Sequence, residues 1–355
     1  LRRLGFFRRG AIVASIASVA LVLSACSGNS GDDSGSGSDG GGGGKPVVGV
    51  VFDVGGRGDK SFNDSAAAGV DKAVEELGLE KPVELSGKPD EPDSDKEDRI
   101  RQVADNGADT IVVVGFANAE PLRTVAPEYP DVKFVMLDNG TIEEDNVQGV
   151  TFKDNENAFL VGAVAALASQ TNAVGFVGGV NETLINNFQV GYEAGAKQAK
   201  PDVAVDSKYL TEAGDYSGYA DPGKGKITAQ GEYDAGADIV YAAAGLSNNG
   251  VFEAAAEKGK WAIGTDSDQY LTADAAVKES IIASAIKKLD VASYNFIKSV
   301  ADDTFEAGNV SLGLKDDGVD YVINNEQIKS QVGAQVDDLK QQIIDGEIEV
   351  PSAGE

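Results

Sequence analysis

From Val47 onward, short apolar runs rich in β-branched residues alternate with stretches whose apolar positions recur at helical spacing. This pattern limits the fold more than any other feature of the chain. Such alternation is satisfied by open sheets of mostly parallel strands flanked by helices. The runs predict strands over Val47–Phe52, Thr110–Val114, Lys133–Leu137, Ala173–Val177, Ile239–Ala243, Trp261–Thr265 and Ile281–Ile286. Helices are predicted over Ser61–Leu77, Asp95–Asn106, Asn155–Ala168, Asn186–Ala199 and Asn249–Glu257, then over Val291–Val300 and Glu326–Ile344 around a β-like Val319–Ile323. The order also repeats. Val48-Gly49-Val50-Val51 returns as Val174-Gly175-Phe176-Val177, and Gly107-Ala108-Asp109 returns as Gly236-Ala237-Asp238 at nearly the same separation. We read two similar α/β lobes, residues 47–150 and 151–290, with residues 291–355 crossing between them to complete both. Open parallel sheets take ligands at the carboxyl ends of their strands, so two facing lobes make a cleft that can close by hinge motion.

The start of the chain has a different character. Arg2, Arg3, Arg8 and Arg9 precede the apolar run Ala11–Leu23, which is too short to span a bilayer comfortably and is followed by small residues. Residues 1–25 therefore read as a secretory signal. Leu23-Ser24-Ala25-Cys26 resembles the bacterial lipobox, in which the cysteine is lipidated, and Cys26 is the only cysteine in the sequence. Residues 26–46 would then be a lipidated Cys26 and a flexible linker, since Ser27–Gly44 is too rich in Gly and Ser to build a core. The expectation is a body tethered to the outer face of a cell membrane.

Composition narrows the function. Fifty-eight Asp and Glu stand against 30 Lys and Arg, a net charge of −28 that opposes nucleic acid and anionic lipid surfaces. Histidine is absent, which removes the commonest general base and the commonest metal ligand. Ser-His-Asp, Cys-His and His-zinc sites cannot be built from this chain. We therefore expect no catalytic residues, cofactor or metal.

The densest polar segment is Asp53-Val54-Gly55-Gly56-Arg57-Gly58-Asp59-Lys60-Ser61-Phe62-Asn63, a loop between the first strand and the first helix with Ser61 as N-cap. A Gly-rich loop before a helix can cradle phosphate, but Asp53 and Asp59 oppose an anion, so a neutral polar ligand suits it better. The strand Val48–Phe52 with Asp53, followed by Asp59-Lys60-Ser61-Phe62-Asn63, resembles the opening motif of the BMP ("basic membrane protein") lipoproteins. Similar matches are the segment from Phe188 to Lys197, Gly264-Thr265-Asp266-Ser267-Asp268-Gln269 and Ser284-Ala285-Ile286-Lys287.

The resemblance implies a two-lobed, type I periplasmic-binding-protein-like α/β fold. It also implies a monomeric receptor serving the permease and ATPase subunits of an ABC importer, with a nucleoside as ligand. Phe62 and Phe188 would stack on the base, and Asp53 and Asn63 would hydrogen-bond its edge. Asp138 and Asp266 would accept ribose hydroxyls, Gly245 and Gly250 would let backbone approach the sugar, and Lys287 would close the polar side. Phe116 is a further rim candidate. Two alternatives remain open: a sugar or other small polar solute on the same scaffold, or a nucleoside hydrolase using Asp53, Asp59 and Asp138.

Two segments imitate other sites. Gly218 to Lys224 matches the first seven positions of a P-loop, but Gly225 replaces the Ser or Thr that would hold magnesium, so it reads as a turn with Pro222 near a helix start. The acids from Asp93 to Asp98 lack the glycine and terminal Glu of an EF-hand loop and read as a solvated helix N-terminus.

Overall fold

Apolar runs without polar alternation suit strands covered on both faces. Two of the predicted runs, Thr110–Val114 (β3) and Ile239–Ala243 (β8), are buried at every residue, as is the observed strand Val48–Phe52 (β1) within the predicted Val47–Phe52. The computed structural model describes residues 45–353; the expected signal segment, Cys26 and most of the linker lie outside them. The remaining strands are Val83–Ser86 (β2), Lys133–Leu137 (β4), Val147–Phe152 (β5), Ala173–Asn181 (β6), Ala204–Glu212 (β7), Trp261–Asp266 (β9), Ile281–Lys287 (β10), Gly308–Leu312 (β11) and Val319–Ile323 (β12). The helices are Phe62–Leu77 (α1), Asp93–Asp105 (α2), Ala119–Val125 (α3), Asp154–Ala168 (α4), Thr183–Ala199 (α5), Pro222–Asp234 (α6), Asn248–Lys258 (α7), Gln269–Thr272 (α8), Leu289–Ala301 (α9) and Glu326–Ile344 (α10).

The strands form two six-stranded sheets, ordered β11-β5-β4-β3-β1-β2 and β12-β10-β9-β8-β6-β7. Every pair is parallel except β10–β12. The two orders correspond strand for strand, and the sequence repeat has a structural cause. Asp109 accepts a hydrogen bond from the Val47 amide at 2.9 Å, fastening the chain as it enters β1. Asp238 accepts from the Gln170 and Thr171 amides at 2.7 and 3.1 Å, fastening the chain ahead of β6. Both clasps lie at the amino ends of the strands and leave the carboxyl ends free.

The chain passes between the sheets three times. After β5 it enters α4, which packs on α5 and β10 of the second lobe; after β10 it enters α9, which packs on α1 of the first. Finally β11 pairs with β5 and β12 with β10. The crossings are hydrogen-bonded to one another, Lys153 N to Leu312 O and Lys288 N to Gly318 O, each at 2.9 Å. Close helix packing supports this arrangement. A Cβ at Gly195 of α5 would stand 1.8 Å from the Phe159 carbonyl oxygen of α4, and one at Gly69 of α1 would stand 2.0 Å from the Asp290 carbonyl oxygen of α9. The largest buried cluster accordingly runs through both lobes.

The two imitations resolve as turns and caps. Asp221 caps α6 by accepting from the Lys224 amide at 2.9 Å, with Pro222 in the first turn. Asp93 and Asp95 open α2.

Candidate functional site

The Gly-rich loop after β1 is held by its own polar side chains. Asp59 accepts from the amides of Ser61, Asn63 and Asp64 at 2.9, 2.8 and 3.1 Å, so it satisfies the free donors at the start of α1. Ser61 stands at the N-cap position but makes no side-chain capping bond. Its hydroxyl instead donates to Asp266 of the second lobe at 2.7 Å. Asn63 accepts from the Asp53 amide at 2.9 Å and donates to the Val54 carbonyl and the Asp59 carboxylate. Most of its hydrogen-bonding capacity thus maintains the loop. Asp53 accepts from the Val54 amide at 2.7 Å through one carboxylate oxygen. Burial pushes its pKa up to about 7, against the lowering effects of that hydrogen bond and of Lys96.

A buried ammonium lies at the centre. Lys287, the last residue of β10, is 1% exposed. It donates to both carboxylate oxygens of Asp138 at 3.1 and 2.9 Å and pairs with Asp154 at 3.1 Å. Its ammonium is 5.3 Å from the Phe62 ring centre, 5.1 Å from that of Phe188 and 5.5 Å from that of Phe152. Burial disfavours the charge, but the carboxylates of Asp138, Asp154 and Asp266 outweigh it and hold the lysine pKa above its usual value. Burial raises Asp266 to about 6 and Asp154 well above the usual carboxylate range, although Lys287 opposes both shifts.

One cavity between the lobes gathers these groups. Asp53, Phe62, Asn63 and Asp138 line it from the first lobe; Phe188, Gly245, Asp266 and Lys287 line it from the second. Phe62 starts α1 and is half-buried, whereas Phe188 lies within α5 and is 2% exposed. Phe116 is at the rim, edge-on to Tyr216 with ring centres 5.9 Å apart. Gly250 is elsewhere: a Cβ there would stand 1.7 Å from the Pro222 carbonyl oxygen, so this glycine serves the contact between α6 and α7 rather than a sugar. Asp268 accepts from Asn324 at 3.0 Å at a turn outside the cavity.

Sequence reasoning missed three contributors. Asp154, which begins α4 and pairs with Lys287, precedes the predicted helix and was given no role. Thr265 precedes Asp266 in a matched motif but was given no role. Tyr219 lines the cavity from inside the segment that imitates a P-loop, and only the turn around it could have indicated its place.

The lobes also meet directly beside the cavity. The Lys60 carbonyl accepts from Gln269 at 2.9 Å and from Ser267 at 3.2 Å, and the Lys60 ammonium pairs with Asp274 at 2.9 Å. Among the described residues, no cluster of three or more His, Cys, Asp or Glu could hold a metal ion, and no helix is long and apolar enough to cross a membrane.

Comparison with known proteins agrees with this geometry. The family model described as "ABC transporter substrate-binding protein PnrA-like" matches residues 46–353. The "ABC transporter nucleoside-binding protein BmpA" of Lactococcus lactis subsp. cremoris is 34% identical over 318 residues, 85% of this chain and 88% of that protein. "Basic membrane protein A" of Borreliella burgdorferi is 34% identical over 314 residues, 86% of this chain and 88% of its own length. A solved ABC transporter solute-binding protein from Aeropyrum pernix superposes with a TM-score of 0.74 at 33% identity, covering 87% of this chain and 94% of that one. Its two lobes, its interlobe cavity and these matches over most of its length place the chain in the Bmp family of PnrA-like ABC transporter substrate-binding proteins.

Proposed function

We propose that the chain is a lipid-anchored receptor on the outer face of the cell membrane that delivers a purine nucleoside to an ABC importer. The observation that carries this reading is the pair of rings, Phe62 and Phe188, brought from different lobes to the same ammonium in a cavity rich in carboxylates. A flat base between two rings gains about 1–3 kcal/mol per stacking contact. Asp138 and Asp266 offer acceptors to ribose hydroxyls, and Lys287 keeps Asp138 compensated while it does so. Asp53 can accept from the base edge or, when protonated, donate to it. A phosphate is disfavoured, because Lys287, the cation that lines the cavity, already serves two carboxylates. Asp59 is committed to capping α1, which removes one of the three acids on which a hydrolase reading depended. Cys26 would supply the anchor, and the permease and ATPase subunits would be the partners.

Calorimetry of the full chain, purified in detergent, against adenosine, guanosine, inosine, uridine and a panel of sugars tests the reading. We expect saturable binding of purine nucleosides, weakened about 10-fold or more by Phe62→Ala. A heat signal from a sugar with none from any nucleoside would overturn the ligand assignment.

A further inference from the structure

A second concavity adjoins the cavity on the side of Asp138. Phe116, Asp138 and Leu184 line both. From there a groove continues between the lobes, past Thr141 and Thr151 of the first and Asn186 and Asn187 of the second. The nucleoside reading uses none of it beyond the shared residues.

One wall is the first turn of α5. Glu182 occupies the N-cap position without capping through its side chain, which accepts instead from the Gly214 amide at 3.0 Å. The opening amides of α5 therefore remain as donors. Asn186 accepts from the Tyr209 hydroxyl at 2.6 Å and Asn187 from the Ala353 amide at 2.7 Å. Their side-chain carbonyls are thus engaged, and their NH2 groups are left without partners among the described residues.

Asp154 adds an acceptor. It lines the groove and is 2% exposed. One carboxylate oxygen pairs with Lys287 at 3.1 Å, and the other is buried with no hydrogen-bond partner among the described residues. Such an orphan calls for an explanation. Burial raises the Asp154 pKa although Lys287 opposes the shift. A hydroxyl pairs with this carboxyl in either state, donating to the carboxylate or accepting from the acid. It also accepts from the α5 amides and the Asn NH2 groups. An anion does not fit: Asp138, Asp154 and Glu182 line the groove, and among the described residues no Lys or Arg does.

We propose that this groove is a second subsite, which takes a neutral, hydroxyl-rich group carried on the ribose of the ligand. This rests on the nucleoside reading, in which Asp138 marks the ribose end, and widens the ligand class to nucleosides extended by a sugar.

Calorimetry of the full chain in detergent tests it with adenosine and inosine, their derivatives bearing a ribosyl group on the 2′, 3′ or 5′ oxygen, and their 5′-monophosphates. We expect at least one ribosyl derivative to bind about 3- to 10-fold more tightly than its parent, and the monophosphates to bind more weakly. Thr183 is exposed, lines the groove and does not line the cavity. Thr183→Tyr, which narrows the groove, should abolish the advantage of the ribosyl derivative over its parent. Parents that bind while no ribosyl derivative binds more tightly would overturn the subsite and leave the nucleoside reading standing. An advantage that survives Thr183→Tyr, or a monophosphate that binds as tightly as its parent, would also overturn it. Failure of every nucleoside, bare or extended, to bind would overturn both.

Discussion

Asp138 and Asp266 occupy corresponding places, one directly after β4 and the other ending β9, and both have left-handed backbone with φ of 67° and 68°. Asp and Asn tolerate that conformation better than most residues, though it carries a modest cost. The repeat in the sequence therefore reaches the site itself: each lobe turns one carboxylate into the cavity at the same point. These two acids were legible because they end predicted strands, as was Asp53. Asp154 and Tyr219 were not, because their positions depend on how the helices and turns pack. The acids also set a pH dependence. Asp53 keeps its proton to about pH 7 in the native state and loses it near its ordinary value of 3.8 when unfolded. Between those values the native state binds more protons, so this group's contribution to stability falls as pH rises through the window. In the ligand-free protein, the stability of Asp53→Asn relative to wild type should rise between pH 5 and pH 8, by on the order of 3 kcal/mol. Thermal melts across that range check it; a difference that does not vary with pH would refute the titration.

At the scale of elements, most central strands were legible and most edges were not, although β12 at one edge matches the β-like Val319–Ile323 and β5 inside its sheet went unpredicted. β3 and β8 match the predicted runs because complete burial leaves a nearly unbroken apolar signal, and β4 matches with only Lys133 half-buried at its start. At the sheet edges, β2 and β11 are half-buried or exposed, β7 is so except at Leu210 and Thr211, and all three carry polar residues, as in Ala-Val-Asp-Ser-Lys-Tyr-Leu-Thr-Glu of β7. Their pairing is set by the neighbouring strand rather than by hydrophobicity. Helix glycines separate packing from propensity in the same way. Gly195 touches the backbone of α4, whereas Gly231 of α6 has open space where its Cβ would be. Chemical denaturation should show Gly231→Ala stabilising by about 0.5–1 kcal/mol. Gly195→Ala should destabilise by about 2 kcal/mol or more despite the same gain in helix propensity. Equal effects at the two sites would mean that the close approach of α4 and α5 is not needed.

Across the whole molecule, the lobes meet through Lys60 and Ser61 on one side and Ser267, Gln269, Asp266 and Asp274 on the other. These contacts hold the cleft shut beside the cavity, and each buried bond is worth about 0.5–1.5 kcal/mol. Ser61→Ala should therefore shift the ligand-free protein toward open forms and weaken ligand binding about 2- to 10-fold. Small-angle scattering should show a larger radius of gyration for the ligand-free variant; a profile identical to wild type would remove these contacts from any account of closure. The three passages between the lobes have a mechanical consequence. One strand acting as a hinge could bend and also twist, so returning lobes could meet out of alignment. Here the segments around Lys153, Lys288 and residues 312–318 lie side by side and are hydrogen-bonded together, forming a band rather than a thread. A band resists torsion and yields along a single axis, so motion between the lobes reduces to one swinging coordinate. Each return along that path brings Phe62 and Phe188 back into the same relative orientation.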